Sequence, residues 1–195
     1  HDLKEMRGNY TKAFHQALFR LCGKVMMQIV NMPQPVVARI HGIATAAGCQ
    51  LVATCDLAVV GEKAQFCTPG VSIGLFCSTP MVALTRNLTR KHAMEMLLTG
   101  DMYSAAEAFR FGLINRVVAA GSALAEAQAL AQRVAARSTL TVRTGKHAFY
   151  AQAEMGLADA YDHAARVMVE NMLALDAQEG IDAFLEKRAP EWKDR

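Results

Sequence analysis

The amino-acid sequence predicts an α/β fold that closes in a purely helical segment, and three features carry the prediction. Residues 36–40 (Val-Val-Ala-Arg-Ile) and 57–60 (Leu-Ala-Val-Val) are short and rich in β-branched side chains, the composition of buried strands. Between them, residues 44–53 are mostly small, which suits a helix packed tightly against a strand. From Ser122 onward the apolar residues keep helical spacing almost without a break.

In chain order, the first helix is predicted over 11–31, where Phe14, Leu18, Leu21, Val25, Met26 and Ile29 form one apolar stripe. Pro33 and Pro35 stop it. Strand 36–40 ends at the turn His41-Gly42, helix 44–53 follows, and strands 57–60 and 64–66 complete a strand–turn–helix–strand unit. Thr79-Pro80 reads as an N-cap with proline at the first helical position, placing a helix over 80–88. Another spans 90–98 and is closed by Gly100. Ser104-x-x-Glu107 is a capping box opening a short helix that ends near Gly112, ahead of strand 113–118. The last third holds helices at 124–137, 142–154 and 157–175, then one opened by Asp176-x-x-Glu179 and running through Glu186. Along 157–175, Ala160, Ala164, Val167, Met168, Met172 and Leu175 make a broad apolar face, suited to the core or to a subunit interface.

Composition removes several function classes. The chain has 195 residues, 21 Lys plus Arg against 18 Asp plus Glu, and 52% hydrophobic residues, as expected of one sizeable globular core. Its charges form no block of five or six like residues, so no nucleic-acid partner and no anionic membrane surface are expected. Residues 42–61 are nearly all small or apolar, but Gln50 and Asp56 interrupt them, and Gly, Ala and Thr add too little hydrophobicity for a membrane span. Cys22, Cys49, Cys55, Cys67 and Cys77 are odd in number and show no C-x-x-C spacing; they read as reduced intracellular thiols. The chain opens directly into HDLKEM and reads as a piece of a longer protein.

Residue types alone offer little chemistry. The sequence has no H-E-x-x-H, no zinc-spaced Cys/His group, no G-x-S-x-G and no Walker loop, so no metal site is expected. His15, His92, His147 and His163 fall inside predicted helices, and His41, at a strand end, reads as structural. What remains is the backbone: a helix entered through Ala46-Ala47-Gly48 exposes N–H groups that carry the positive end of the helix dipole and can hold an oxyanion. The same small residues also suit close helix–sheet packing.

At these residues the sequence resembles the crotonase (enoyl-CoA hydratase/isomerase) superfamily. His1-Asp2-Leu3-Lys4-Glu5-Met6 resembles the end of its first oxyanion-hole segment, A-G-x-D followed by an apolar residue, Lys and Glu. HGIATAAGCQLVATCDLAVVGEKAQFCTPGVSIGL resembles the second segment and the loop beyond it. LLTGDMYSAAEAFRFGLINRVV and QEGIDAFLEKRAPEW resemble later landmarks, in the family order. The nearest branch is one that also reads ATAAGCQL and TPGV-x-x-GLFCSTP. The resemblance implies a crotonase-like spiral of β-β-α units over residues 1–121, its N-terminal part missing from this chain, and a helical trimerisation region over 122–195. It further implies a homotrimer or hexamer, an acyl-CoA ligand, fatty-acid metabolism, no cofactor beyond the coenzyme A of the substrate, and a cytoplasmic location, or the mitochondrial matrix if the source is eukaryotic.

Carried over residue by residue, the resemblance implies that His1 and Ala47 supply the two backbone N–H groups of the oxyanion hole. It places Asp2, Leu3, Lys4, Thr68 and Pro69 against the substrate, and Phe184 and Lys187 at the adenine and phosphate end of coenzyme A. Family hydratases activate water with two glutamates, one directly after the G-C of the second segment and one directly after the P of the loop. Those positions are Gln50 and Gly70. An amide cannot take a proton from water and glycine has no side chain, so the general acid–base pair is absent and ordinary hydration is not expected. An isomerase relying on one carboxylate where Gly70 stands is not expected either. Restoring both carboxylates, Gln50→Glu with Gly70→Glu, is expected to raise activity if the backbone tolerates a side chain at Gly70. Cys67, Thr68, Ser72, Cys77, Ser78 and Thr79 lie on the following loop, but none is a good base without a partner. The alternative function is a non-catalytic acyl-CoA-binding or assembly protein.

Overall fold

The computed structural model describes residues 1–194, which form two compact units: His1–Val30 with Val36–Gln128, and Asn31–Pro35 with the residues from Ala129 onward. In the first unit, α1 (Leu3–Gly8) begins at Asp2, whose carboxylate accepts the N–H groups of Lys4 at 2.7 Å and Glu5 at 3.2 Å. Helix α2 (Lys12–Asn31) follows the predicted stripe, with Cys22 its one buried residue.

The strands alternate between two sheets. β1 (Val37–Ile40) is followed by β2 (Ile43–Thr45) and α3 (Ala47–Thr54), then by β3 (Leu57–Gly61) and β4 (Gln65–Cys67). β1 and β3 pair in parallel in one sheet, and β2 and β4 pair in parallel in the other. Each turn of chain therefore contributes two strands, one to each sheet, before its helix, which is the β-β-α spiral. The helix predicted over 44–53 needs correction: Ala44 and Thr45 pair with Phe66 and Cys67 as part of β2, and the helix starts only at Ala47. Flanking β-branched Ile43 and Thr45 suit the strand, and long-range pairing overrides the helical propensity of the alanine.

A 3-10 turn (Pro69–Ile73) leads to α4 (Ser78–Asn87) and α5 (Arg90–Thr99). Thr79 is not the cap of α4: the N-cap is Cys77, with no side-chain bond. Pro80 sits inside the first turn, where the backbone N–H groups have no helical acceptor and a missing one costs little. α5 is closed by Gly100 in the left-handed region, as predicted. β5 (Tyr103–Ser104) pairs antiparallel with β4, and Ser104 and Glu107 complete the capping box of α6 (Ala105–Phe111). β6 (Arg116–Val118) joins β3 in parallel. It is shorter than the predicted 113–118 because Leu113 closes α6, its N–H bonding Ala108 O at 2.9 Å after Gly112 turns left-handed. The core of this unit gathers Val60, Phe66, Leu84, Met96 and Leu97, and the central strand β3 is buried along most of its length, as a parallel strand covered on both faces must be.

α7 (Ala123–Ala135) leads into the second unit, which holds α8 (Thr139–Gln152), α9 (Leu157–Met172) and α10 (Leu175–Glu186). α9 stops at Met172, short of the predicted 175. The capping box predicted at Asp176-x-x-Glu179 is absent, since α10 is capped by Ala174 without a side-chain bond. The two carboxylates serve the C-terminal segment instead. Asp176 accepts the N–H groups of Lys193 at 2.6 Å and Asp194 at 3.1 Å, while Glu179 receives Arg188 through two bonds of 2.6 and 2.9 Å and the N–H of Glu191 at 2.7 Å. Trp192 donates its ring N–H to Ala136 O at 3.0 Å. On α9, Leu157, Tyr161, Met168 and Val169 are exposed.

Candidate functional site

The structure makes the start of α3 a strained junction. Ala46, its N-cap, has φ 46° and ψ −112°, a region that glycine takes in a type II′ turn and that side chains avoid, at a cost of about 1–3 kcal/mol. Two bonds hold it there: Ala46 N–H donates to Cys67 O at 2.9 Å, and Ala46 O accepts from Gln50 N–H at 2.9 Å. No side chain caps the helix, so the N–H groups of Ala47, Gly48 and Cys49 have no intrahelical acceptor. Ala47 is half-buried and Gly48 exposed. Backbone donors beside open space, at the positive end of a helix, are suited to a carbonyl that gains negative charge.

The bond from Ala46 to Cys67, together with the pairing of Thr45 with Cys67, brings the loop Thr68-Pro69-Gly70 to this junction. The Thr68 hydroxyl is committed to structure: it is fully buried and donates to Met96 O at 2.8 Å. Pro69 is half-buried and supports Gly100, where an added Cβ would come within 3.0 Å of the Pro69 Cα. At Gly70 an added Cβ would stand 2.8 Å from Leu75 O, 2.9 Å from Cys77 Sγ and 3.3 Å from Cys77 N. The condition attached to Gly70→Glu is therefore not met, because segment 75–77 occupies the space where a side chain would begin.

Gln50 lies one turn into α3 and is 4% exposed. Its side-chain Oε1 accepts from the Cys22 thiol at 3.7 Å, within sulfur hydrogen-bond range. Around it are buried thiols. Cys49 is fully enclosed, and burial, with smaller contributions from Cys67 and Cys77, pushes its thiol up to about 12. Cys67 donates to the Thr45 hydroxyl at 3.2 Å. Cys49, held protonated by its burial, is neither a nucleophile nor a base at neutral pH. Among the described residues no group of three or more His, Cys, Asp or Glu is placed to hold a metal ion.

His1 is exposed and its ring meets Phe19 of α2 edge-on, with centroids 5.4 Å apart. Asp2 is occupied in capping α1, and Leu3 and Lys4 are exposed. The chain of contacts from His1 through α2 and Cys22 to Gln50 keeps these residues in the same unit as Ala47. Phe184 and Lys187 belong to the second unit: Phe184 is 81% exposed and Lys187 caps α10 with φ 58°. Sequence reasoning missed two residues. Nothing in an Ala-Ala-Gly run signals that Ala46 takes positive φ, and nothing local connects Cys22 with Gln50, 28 positions away.

Comparison with known proteins places the chain in context. The enoyl-CoA hydratase/isomerase family model matches residues 1–195. The chain is 50% identical over 192 residues to rat enoyl-CoA hydratase domain-containing protein 3, mitochondrial, covering 98% of this chain and 64% of the rat protein. The human protein of the same name is 48% identical over 98% of this chain and 63% of its own length. The chain thus spans a little under two thirds of these relatives. Among solved structures, an enoyl-CoA hydratase from Mycobacterium smegmatis superposes with a TM-score of 0.96 at 50% identity, covering 98% of this chain and 75% of that one. Human enoyl-CoA hydratase domain-containing protein 3 superposes at 0.94 with 49% identity, over 98% and 76%. The family, the fold and the branch expected from ATAAGCQL agree with these matches.

Proposed function

Because the chain belongs to the enoyl-CoA hydratase/isomerase family, we propose that it binds an acyl-CoA thioester at the α3 junction without hydrating it at an ordinary rate. The thioester carbonyl sits between the N–H groups of His1 and Ala47, and the coenzyme A moiety runs past Lys4; Phe184 and Lys187 are assigned to its adenine and phosphate end by the resemblance alone, where family members often supply them from a neighbouring subunit. The observation that carries this reading is the pair Gln50 and Gly70. The first has a buried amide where the family's hydratases have a carboxylate, and the second has no room for a side chain. Each missing acid–base group costs about 10²–10⁴-fold in rate. The oxyanion donors remain, so polarisation of the carbonyl survives the loss of water activation.

A second reading, a non-catalytic acyl-CoA-binding or assembly protein, is favoured by the same pair together with the buried, protonated thiol of Cys49. The experiment is a panel of acyl-CoA thioesters assayed for binding by calorimetry and for turnover by product analysis, with crotonyl-CoA included. Saturable binding with crotonyl-CoA hydration orders of magnitude below a two-glutamate relative supports the proposal, and a turnover of about 10 per second or more refutes it. Product from another thioester makes the protein an enzyme of different chemistry; binding with no product selects the second reading.

The exposed apolar residues of α9 support assembly into a homotrimer or hexamer, and light scattering that finds a stable monomer at micromolar concentration overturns it. The relatives named mitochondrial support a mitochondrial location, and the proposed role in fatty-acid metabolism rests on the acyl-CoA reading alone. Among the described residues no helix is long and apolar enough to cross a membrane.

A further inference from the structure

The side chain of Gln50 leaves one of its ends unused. Its Oε1 accepts the Cys22 thiol, its backbone N–H bonds Ala46 O, and its backbone carbonyl accepts the Thr54 hydroxyl at 2.8 Å. Among the described residues nothing accepts from the amide nitrogen. The fully enclosed side-chain atoms that lack a partner are ring nitrogens of His15, His92 and His163, so the Gln50 nitrogen keeps a path out of the core. A helical side chain leans towards the N-terminus of its helix, which here is the Ala47 turn.

The thiol decides which end of the amide is spent. An S–H is a donor with a weak acceptor sulfur, so facing a carboxamide it takes the oxygen and leaves the NH2 outward. Cys22 is 8% exposed and is the only buried residue of α2. We infer that Cys22 is a positioning residue which holds Gln50 as a donor-only group beside the thioester site, and that the ligand's acyl chain carries an acceptor oxygen that this NH2 binds. A 3-oxo chain supplies such an oxygen; a saturated or enoyl chain leaves the buried donor unsatisfied, which is the costly outcome. The inference rests on the acyl-CoA reading above and adds the chemical class of the chain.

Titration calorimetry with acetoacetyl-CoA and butyryl-CoA, at a pH low enough to keep the 3-oxo chain in its keto form, tests it, because the two chains then differ at C3, a carbonyl acceptor in one and a methylene in the other. The wild type is expected to prefer acetoacetyl-CoA about fivefold to tenfold, the ratio of one hydrogen bond. Cys22→Ser, whose hydroxyl accepts as readily as it donates, no longer selects one end of the amide and weakens the preference. Cys22→Ala frees the amide to turn and brings the ratio towards one, and Gln50→Glu, an acceptor only, removes or reverses it. A merely structural Cys22 would shift both affinities together and leave the ratio unchanged. Equal affinity of the wild type for the two thioesters overturns the inference while leaving the acyl-CoA reading intact, and this measurement needs no variant to fold. Binding of neither overturns both.

Discussion

Replacing Gly70 with alanine is the sharpest probe of the site's packing. The added Cβ would lie 2.8 Å from Leu75 O and 2.9 Å from Cys77 Sγ, where ordinary contact begins at 3.4 Å. A backbone oxygen must then retreat by about 0.6 Å, and overpacking of this kind costs about 1–3 kcal/mol. That segment has little slack. Leu75 N–H bonds Gly70 O at 2.9 Å, Gly74 is fixed in the left-handed region, and Cys77 O already accepts from Met81 N–H in α4. The alanine returns about 0.4–1 kcal/mol by restricting the unfolded chain, so the expected net loss is about 1–2 kcal/mol. With a urea slope of about 2 kcal/mol per molar, the midpoint should fall by about 0.5–1 M at unchanged slope. An unchanged or higher midpoint would refute the reasoning, showing that segment 75–77 moves freely and that a carboxylate can be installed there. If the reasoning holds, Gln50→Glu with Gly70→Glu fails to restore hydration because the loop is displaced.

Other expectations follow from the same geometry. Ala46→Gly should raise stability by about 1 kcal/mol in urea unfolding, since relief of the positive-φ strain exceeds the entropic cost of glycine; a loss of similar size would mean that Ala46 is unstrained. Ala47→Gly should bind an acyl-CoA analogue nearly as well as wild type, whereas Ala47→Val should lose about 1–3 kcal/mol by crowding the carbonyl, and equal affinity for all three would remove the carbonyl from this turn. Cys49 should resist a disulfide reagent at pH 8 in the folded protein and react once unfolded. Because its folded value is raised from 9.0 to about 12, its contribution is complete below pH 9 and is lost as pH rises towards 12; fast labelling of the folded state would contradict the burial. Glu179, lowered from 4.5 to about 2 chiefly by its bond from Arg188, contributes above pH 4.5 and loses that contribution as pH falls towards 2. The fluorescence of Trp192, the single tryptophan, should report release of the C-terminal segment in that window, and an identical profile in Glu179→Gln would exclude Glu179 as its cause.

Much of the architecture was legible because local chemistry specifies it. Ser104 and Glu107 satisfy each other across one turn, Gly100 and Gly112 end their helices in the one conformation glycine takes cheaply, and β3 is apolar along its length because it is covered on both faces. The signals failed where distant backbone claimed a residue. Ala44 and Thr45 belong to β2 because Phe66 and Cys67 pair with them, and Asp176 left its helix uncapped because the N–H groups of Lys193 and Asp194 take its carboxylate. At the site, the absence of both glutamates could be read directly. The crowding at Gly70 and the thiol on Gln50 could not, since each depends on segments brought together only by the fold.

The alternation of strands between two sheets has a kinetic consequence. In the sheet ordered β1-β3-β6, Val59 finds Arg116 only after β4, α4, α5, β5 and α6 have been threaded between them. No hairpin can start such a sheet, and the entropy of closing that long loop is spent before any ladder bond repays it. Asn115 is the residue that fastens the return: its side-chain oxygen accepts Ala58 N–H at 2.7 Å while its own N–H donates to Ala58 O at 3.0 Å. This one asparagine thus covers the β3 edge that the long connection must return to, an edge that without it would be open to pairing with other chains.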